Sequence, residues 1–227
     1  MIPMSPKRTY DDGCAAAHAL DLVGERWALL VVRELMLGPK RFSDLETNLP
    51  SVSPNVLSQR LKDLEEIGVL RRYKLLPPAA SWVYELTPWG LELEPILQSL
   101  GRWGARSPWR SPDAPISLAT LVMAMRTMFY SPAAKGLVAT YELRIGEDRF
   151  RAEVKEGQLE VVRGSAIEPD ATLEADVPTL GGIAFGGQSL AQAVKAGKLG
   201  IHGNKKLAER FFGLFRMPEP VATAVKR

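Results

Sequence analysis

Between residues 41 and 87 the chain reads RFSDLETNLPSVSPNVLSQRLKDLEEIGVLRRYKLLPPAASWVYELT, and few folds accept that order of signals. Phe42, Leu45 and Leu49 repeat at helical spacing and predict a short helix. Pro50 to Ser53 make a turn, in which Ser53 suits an N-cap and Pro54 the first helical position. A second helix from Pro54 to about Ile67 buries Leu57, Leu61 and Leu64, and Gly68 closes it as a left-handed cap. Residues 69–75 and 82–87 are rich in β-branched and aromatic side chains and flank the break PPAAS, so they read as paired strands. The order is helix, tight turn, helix, two-stranded wing. Such a unit projects one polar helix from a small core.

At 227 residues the chain is long for one ordinary domain, which makes two domains the expectation. A hydrophobic share of 46% with 24% charged residues is enough for real cores. The net charge of +3 permits a nucleic-acid partner without demanding one, and residues 1–110 carry 14 Lys and Arg against 13 Asp and Glu. Any basic face in the first half is therefore a matter of arrangement. One cysteine excludes an intrachain disulfide and a Cys-rich zinc site, and two histidines are too few for a His-based metal centre. Neither a metal nor a cofactor is expected. No run approaches the ~18 apolar residues of a membrane helix, so no membrane insertion is expected. MIPMSPKRTYDDG lacks a signal peptide's apolar core, and a cytoplasmic location is the expectation.

Upstream of the central stretch, residues 14–23 read as a first helix. Residues 25–37, ERWALLVVRELML, are apolar almost all round, with Trp27, Leu30, Val31 and Leu35 on one side and Leu29, Val32 and Met36 on another. A helix of that kind is the hub of its domain, and Gly38-Pro39 ends it. Downstream, Thr87-Pro88 opens a helix in which Trp89, Leu93, Ile96, Leu100 and Trp103 follow at intervals of four, three, four and three, a heptad seam. That stripe is either a dimer interface or packing within its own domain; two Trp on it favour the shared interface. The Pro/Ser-rich GARSPWRSPDAP reads as linker. The expected division is 1–106 for DNA binding and dimerisation, 107–115 for the linker, 116–217 for a second domain and 218–227 for a flexible tail.

The second half has a different pattern. Residues 117–130 form an amphipathic helix with Leu118, Leu121, Val122, Met125 and Phe129 on one face. Period-two alternation follows at Leu143/Ile145, Phe150/Ala152/Val154 and Leu159/Val161, broken by GED and EG, and again at Ala171/Leu173/Ala175. Helix-like pieces occupy 177–185, 189–196 and 204–215. This is an α+β domain with an antiparallel sheet and helices on one face. The pairs Gly181-Gly182 and Gly186-Gly187 lack the strand-to-helix context and the Lys of a phosphate loop.

The helix from Pro54 exposes Asn55, Ser58, Gln59 and Lys62, with no acid between Pro54 and Lys62. Asn and Gln can bond adenine in bidentate fashion, and Lys seeks guanine or phosphate. Arg41 at the preceding helix and Arg71, Arg72 and Lys74 on the first wing strand can neutralise phosphates beside a groove. With Ser53 at the cap, these are the candidate contacts to double-stranded DNA. The bland alternative is a solvated face on a protein-interaction module. The segment from CAAAHALDLVGERW through RFSDL, SPNVLSQRLKDLEEIGVLRR and YELTPWG, about residues 10–106, resembles an HxlR-type transcriptional regulator. The resemblance implies a mainly α, dimeric winged helix-turn-helix repressor or activator. The wing tip PPAAS has no basic residue, so wing contacts are expected from the strands.

Cys14 stands near the first helix's N-terminus, where the dipole favours thiolate, while Asp11 and Asp12 oppose it. Members of the resembled family often carry a cysteine here, and some use it to sense oxidants or electrophiles; the alternative is a small buried apolar residue. His18, one turn on, is a base toward Cys14 or an exposed polar residue. Residues 115–217 resemble the sterol-carrier-protein type-2 fold, through the meander and PDATLEADVPTLGGIAFGGQSLAQAVKAGKLGIHGNKKLAERFFGLF. That implies a cavity for an apolar small molecule, lined by Met125, Phe129, Phe185, Phe211 and Phe215 with Met123, Met128 and Phe212 nearby; the same stripe reads equally as plain core. No nucleophile–base–acid set stands out, and no enzyme is expected. The leading expectation is a dimeric, sequence-specific regulator controlled by a hydrophobic ligand. The alternative is a lipid carrier or interaction protein that uses its winged helix for protein contacts.

Overall fold

The computed structural model describes residues 9–111 and 114–222. They form two compact units, one ending at Leu97 and the other beginning at Gln98. In the first unit the order is α1 (Ala15–Val23), α2 (Ala28–Leu35), α3 (Phe42–Asn48), α4 (Pro54–Glu66), β1 (Leu70–Lys74), β2 (Trp82–Leu86) and α5 (Pro88–Leu91); α6 (Glu94–Ala105) runs across the boundary.

The hub helix is shorter than its apolar run suggested. Trp27, its N-cap, stands at φ +79, outside helical geometry, so α2 begins at Ala28. Leu30 is 37% exposed, so the helix is not buried on every side. Val31, Val32 and Leu35 meet Leu45 of α3 and Leu57, Leu61 and Leu64 of α4 in the core, all at most 1% exposed. Buried Glu34 bonds Lys40 Nζ and Arg33 Nη2, each at 2.9 Å. Such a charge is tolerable because both cations are close. Lys40 also exchanges two backbone hydrogen bonds with Tyr84, adding a rung beside the β1–β2 hairpin.

The expected single helix after Thr87 is two. Thr87 caps α5 by accepting from Gly90 N at 3.1 Å. Glu92 and Leu93 then bond only three residues back, and Pro95, with no N–H, cannot bond Leu91 O. The helix therefore restarts at Glu94. Gly90 is fixed by close approach, since a Cβ there would collide with the Val69 carbonyl oxygen.

The second unit continues with α7 (Leu118–Met128), a 3-10 turn at Ser131–Ala134, β3 (Ala139–Ile145), β4 (Asp148–Lys155), β5 (Gln158–Arg163), β6 (Ala171–Glu174), α8 (Val177–Phe185), α9 (Leu190–Lys195), β7 (Gly200–Gly203) and α10 (Lys205–Phe212). The sheet order is β5-β4-β3-β6-β7. The meander β3–β5 is antiparallel, but β6 joins β3 in parallel and β7 joins β6 antiparallel, so the sheet is mixed. Along β3, Ala139, Tyr141, Leu143 and Ile145 are buried while Thr140 and Arg144 on the other face are only partly covered; Glu142, between them, is buried as well and is bonded by Arg144 Nε. The sequence pattern does not predict β7 as a strand. Its GIHG lies in the glycine-rich turn, and Gly203, at φ +85, has Asp170 O only 2.6 Å from where a Cβ would be.

The last turns of α6 belong to the second unit because their partners lie there. Arg102 donates to the Thr127 carbonyl, Val221 N donates to Arg106 O at 2.9 Å, and Arg106 Nε donates to Glu219 O at 3.3 Å. The contact boundary between the two units thus falls inside α6. Glu219 and Val221, in the segment expected as a flexible tail, carry two of these bonds; 223–227 lie outside the described residues.

Candidate nucleic-acid interface

Residues 50–53 connect α3 to α4, with Leu49 and Val52 buried beneath the turn. Ser53 Oγ accepts from Val56 N at 3.4 Å and Pro54 occupies the first turn. Leu57, Leu61 and Leu64 hold one side of α4 to the core, which leaves Asn55, Ser58, Gln59 and Lys62 exposed on the other. Arg41, exposed, precedes α3 and donates its backbone N–H to Asp44 Oδ2 at 2.9 Å.

The polar face has internal partners that the pattern alone did not reveal. Gln59 Nε2 donates to Asp63 Oδ1 at 2.9 Å. Lys62 Nζ is 3.7 Å from Glu66 Oε1, a loose exposed pair that a phosphate could outcompete. On the wing, Arg71 faces Glu85 across the hairpin and bonds its Oε2 from Nε at 2.9 Å and Nη2 at 2.6 Å. Arg72, opposite Tyr84, stacks over the rings of Trp82 at 4.6 Å and Tyr84 at 5.7 Å. Alternation places Arg72 and Lys74 on one face and Arg71 on the other. Arg71 is thus compensated by a carboxylate, whereas Arg72 is braced by aromatic rings and keeps its charge for an outside anion. The Arg71–Glu85 pairing was readable once the register was known; the i,i+4 spacing of Gln59 and Asp63 was readable from the start.

Trp89, Ile96, Leu100 and Trp103 are 48%, 54%, 48% and 74% exposed, while Leu93 is partly covered. In α1 no residue is buried, and Leu20 is 51% exposed. Cys14 is exposed in the single chain. It occupies the N-cap position of α1, and the nearby backbone N–H groups of Ala17 and Ala16 hold its thiol pKa below the usual value. His18 is exposed, one turn along.

Of the expected pocket side chains, the phenylalanines meet one another. Phe211 is fully buried against Tyr141 at 4.7 Å and Phe215 at 5.2 Å, and Phe185 meets Phe215 at 5.7 Å. Met125 is fully buried, and the Phe129 backbone bridges to Phe215. Tyr141 Oη is buried with no hydrogen-bond partner among the described residues, and burial pushes its pKa up to about 12. A separate cleft of about 290 Å³ is lined by Arg102, residues 127–130 and residues 216–219. Of the expected lining residues only Phe129 and Met128 reach it. Among the described residues no group of His, Cys, Asp and Glu is placed to hold a metal, and no helix is long and apolar enough to cross a membrane.

Comparison with known proteins also finds two parts in the chain. Residues 22–111 match the HxlR-like helix-turn-helix family, and residues 126–216 match the SCP-2 sterol transfer family. The HTH-type transcriptional regulator YvaP of Bacillus subtilis (strain 168) is 39% identical over 95 residues, which cover 42% of this chain and 86% of YvaP. The HTH-type transcriptional regulator YodB of the same organism is 35% identical over 85 residues, 37% of this chain and 76% of YodB. The solved reduced form of YodB from B. subtilis aligns with 44% of this chain and 98% of its own at 31% identity and a TM-score of 0.38. The chain belongs to the HxlR-like helix-turn-helix family of transcriptional regulators, with an SCP-2 sterol transfer family domain following in the same polypeptide.

Proposed function

We propose that the protein is a cytoplasmic, dimeric, sequence-specific DNA-binding regulator whose α4 helices enter successive major grooves of a near-palindromic site. The observation that carries this is the exposed row Asn55, Ser58, Gln59 and Lys62 on a helix front without acids, beside the cationic wing residues Arg72 and Lys74. Bases would be read by Asn55, Gln59 and Ser58, and phosphates met by Arg41, Lys62, Arg72, Lys74 and the Ser53 turn. Arg71 contributes only after leaving Glu85. One winged helix spans few base pairs, and a two-fold partner supplies a second half-site about one turn away. The exposed seam of Trp89, Ile96, Leu100 and Trp103, with α1, is apolar surface suited to that partner. The DNA-binding and dimerisation domain is taken as 1–106 and the effector domain as 116–217.

The effector domain takes an apolar molecule with one hydrogen-bonding group. Phe185, Phe215 and Phe211 part to admit it, and the unpartnered Tyr141 hydroxyl meets its polar end. Cys14 is at most a modulator of DNA binding. The test is selection from random duplex DNA followed by titration over a range of salt. Enrichment of a two-fold site, with affinity falling steeply as salt rises, supports the reading. Failure to enrich any duplex, or binding indifferent to salt, overturns it.

A further inference from the structure

The glutamine on the exposed face of α4 is not free to choose which end of its amide faces outward. Its nitrogen is tied to Asp63 Oδ1 at 2.9 Å, one turn further along α4. Asp63 is 8% exposed, and its other oxygen pairs with Arg60 Nη1 at 3.0 Å. The same Nη1 lies 3.6 Å from Glu25 Oε2. A carboxylate held by a guanidinium offers only acceptors, so the reverse amide orientation would set two oxygens against each other. An untethered glutamine can turn its amide over; this one is held by a chain running from Glu25 through Arg60 and Asp63.

We propose that Asp63, anchored by Arg60, is a positioning residue that presents the Gln59 carbonyl oxygen to DNA and thereby sets base preference at one position of the site. The proposal rests on α4 being the base-reading helix. In the major groove an acceptor is met by the exocyclic amine of adenine or cytosine, whereas guanine and thymine offer acceptors that repel it. Adenine ranks first, because the second N–H of the amide can reach its N7 while the first stays on Asp63. Orientation is settled before DNA arrives, so the protein pays little further ordering cost for this contact.

The test uses the full chain and random duplex selection with wild type, Gln59→Met and Asp63→Asn. Gln59→Met identifies the position that Gln59 reads by flattening it. At that position wild type is expected to prefer adenine, then cytosine, over guanine and thymine by roughly tenfold. Asn at 63 has the same shape but one oxygen. The charged Arg60 claims it, the new amide nitrogen turns to Gln59, and the Gln59 amide reverses. The preference is then expected to move to guanine or thymine while the other positions are kept. A wild-type preference for guanine or thymine there overturns the proposal, even if Asp63→Asn fails to fold. An unchanged preference in a folded Asp63→Asn, checked by circular dichroism, also overturns it. If Gln59→Met flattens no position of an enriched site, the reading of α4 itself fails, and that outcome is distinct from the other two.

Discussion

Two apolar stripes look alike as patterns and differ in the folded chain. The seam from Trp89 to Trp103 repeats every three or four residues, and the Met/Phe set repeats the four-residue spacing in two places, Met125 to Phe129 and Phe211 to Phe215. The first remains largely on the surface, with Trp103 74% exposed. The second closes on itself, with Phe211 fully buried between Tyr141 and Phe215. Periodicity says that a face is apolar; it does not say what covers it. An uncovered stripe offers itself to a second molecule as it stands, whereas a covered one must open before it can take one.

The sharpest way to break this contrast is Phe211→Ala. As a core ring its loss is expected to cost about 3–5 kcal/mol in the C-terminal unfolding transition, followed by denaturant titration. A cost below about 1 kcal/mol accompanied by new uptake of a lipophilic dye would instead make Phe211 the wall of an open chamber. On the exposed stripe, Ile96→Asp should leave the monomer folded yet weaken self-association by about a hundredfold, because a charge would be buried without a partner. Sedimentation at several concentrations reads this directly. Wild type that stays monomeric at high concentration removes the interface.

Tyr141→Phe sharpens the other side. Deleting a buried hydroxyl that bonds nothing should stabilise the protein by about 1 kcal/mol. In wild type the raised pKa of Tyr141, about 12, favours the neutral form in the folded state. Its contribution is fully present below the unfolded value near pH 10 and is lost as pH rises toward 12. The Phe variant should lack that alkaline loss. A destabilised Phe variant would mean the hydroxyl has a partner. The smallest effect belongs to Cys14→Ser, which should leave DNA affinity unchanged in reductant. Electrophile treatment should alter wild type and spare the variant; equal responses would remove Cys14 from any sensing role.

Local signals carried the first unit well. Ser53-Pro54, the Leu57/Leu61/Leu64 row and Gly68 each stand where capping and burial rules put them. Pro95 was visible but outweighed by the heptad spacing, and it split the helix. Trp27 at φ +79 could not be foreseen, since nothing in its type favours a left-handed backbone. In the second unit the strands were legible as strands, but strand order was not. The parallel pairing of β3 with β6 depends on the path of residues 164–170, about which alternation is silent. At the site, residue types pointed to the DNA-facing row. The compensation of Arg71 by Glu85 is a cross-strand matter and needed the register.

That parallel pairing bears on how the protein survives its own synthesis. Until β6 arrives, the edge of β3 from Tyr141 to Arg144 is an unfinished template, and its neighbouring hairpins are already able to close. A chain interrupted after Arg163 would offer those bare amides and carbonyls, backed by Tyr141 and Leu143, to any other nascent copy. Residues 164–203 thus act as an edge guard. They first seal β3 with β6 and then finish the sheet with β7, a strand of four residues that begins and ends in glycine and gives a stray strand little length to grip.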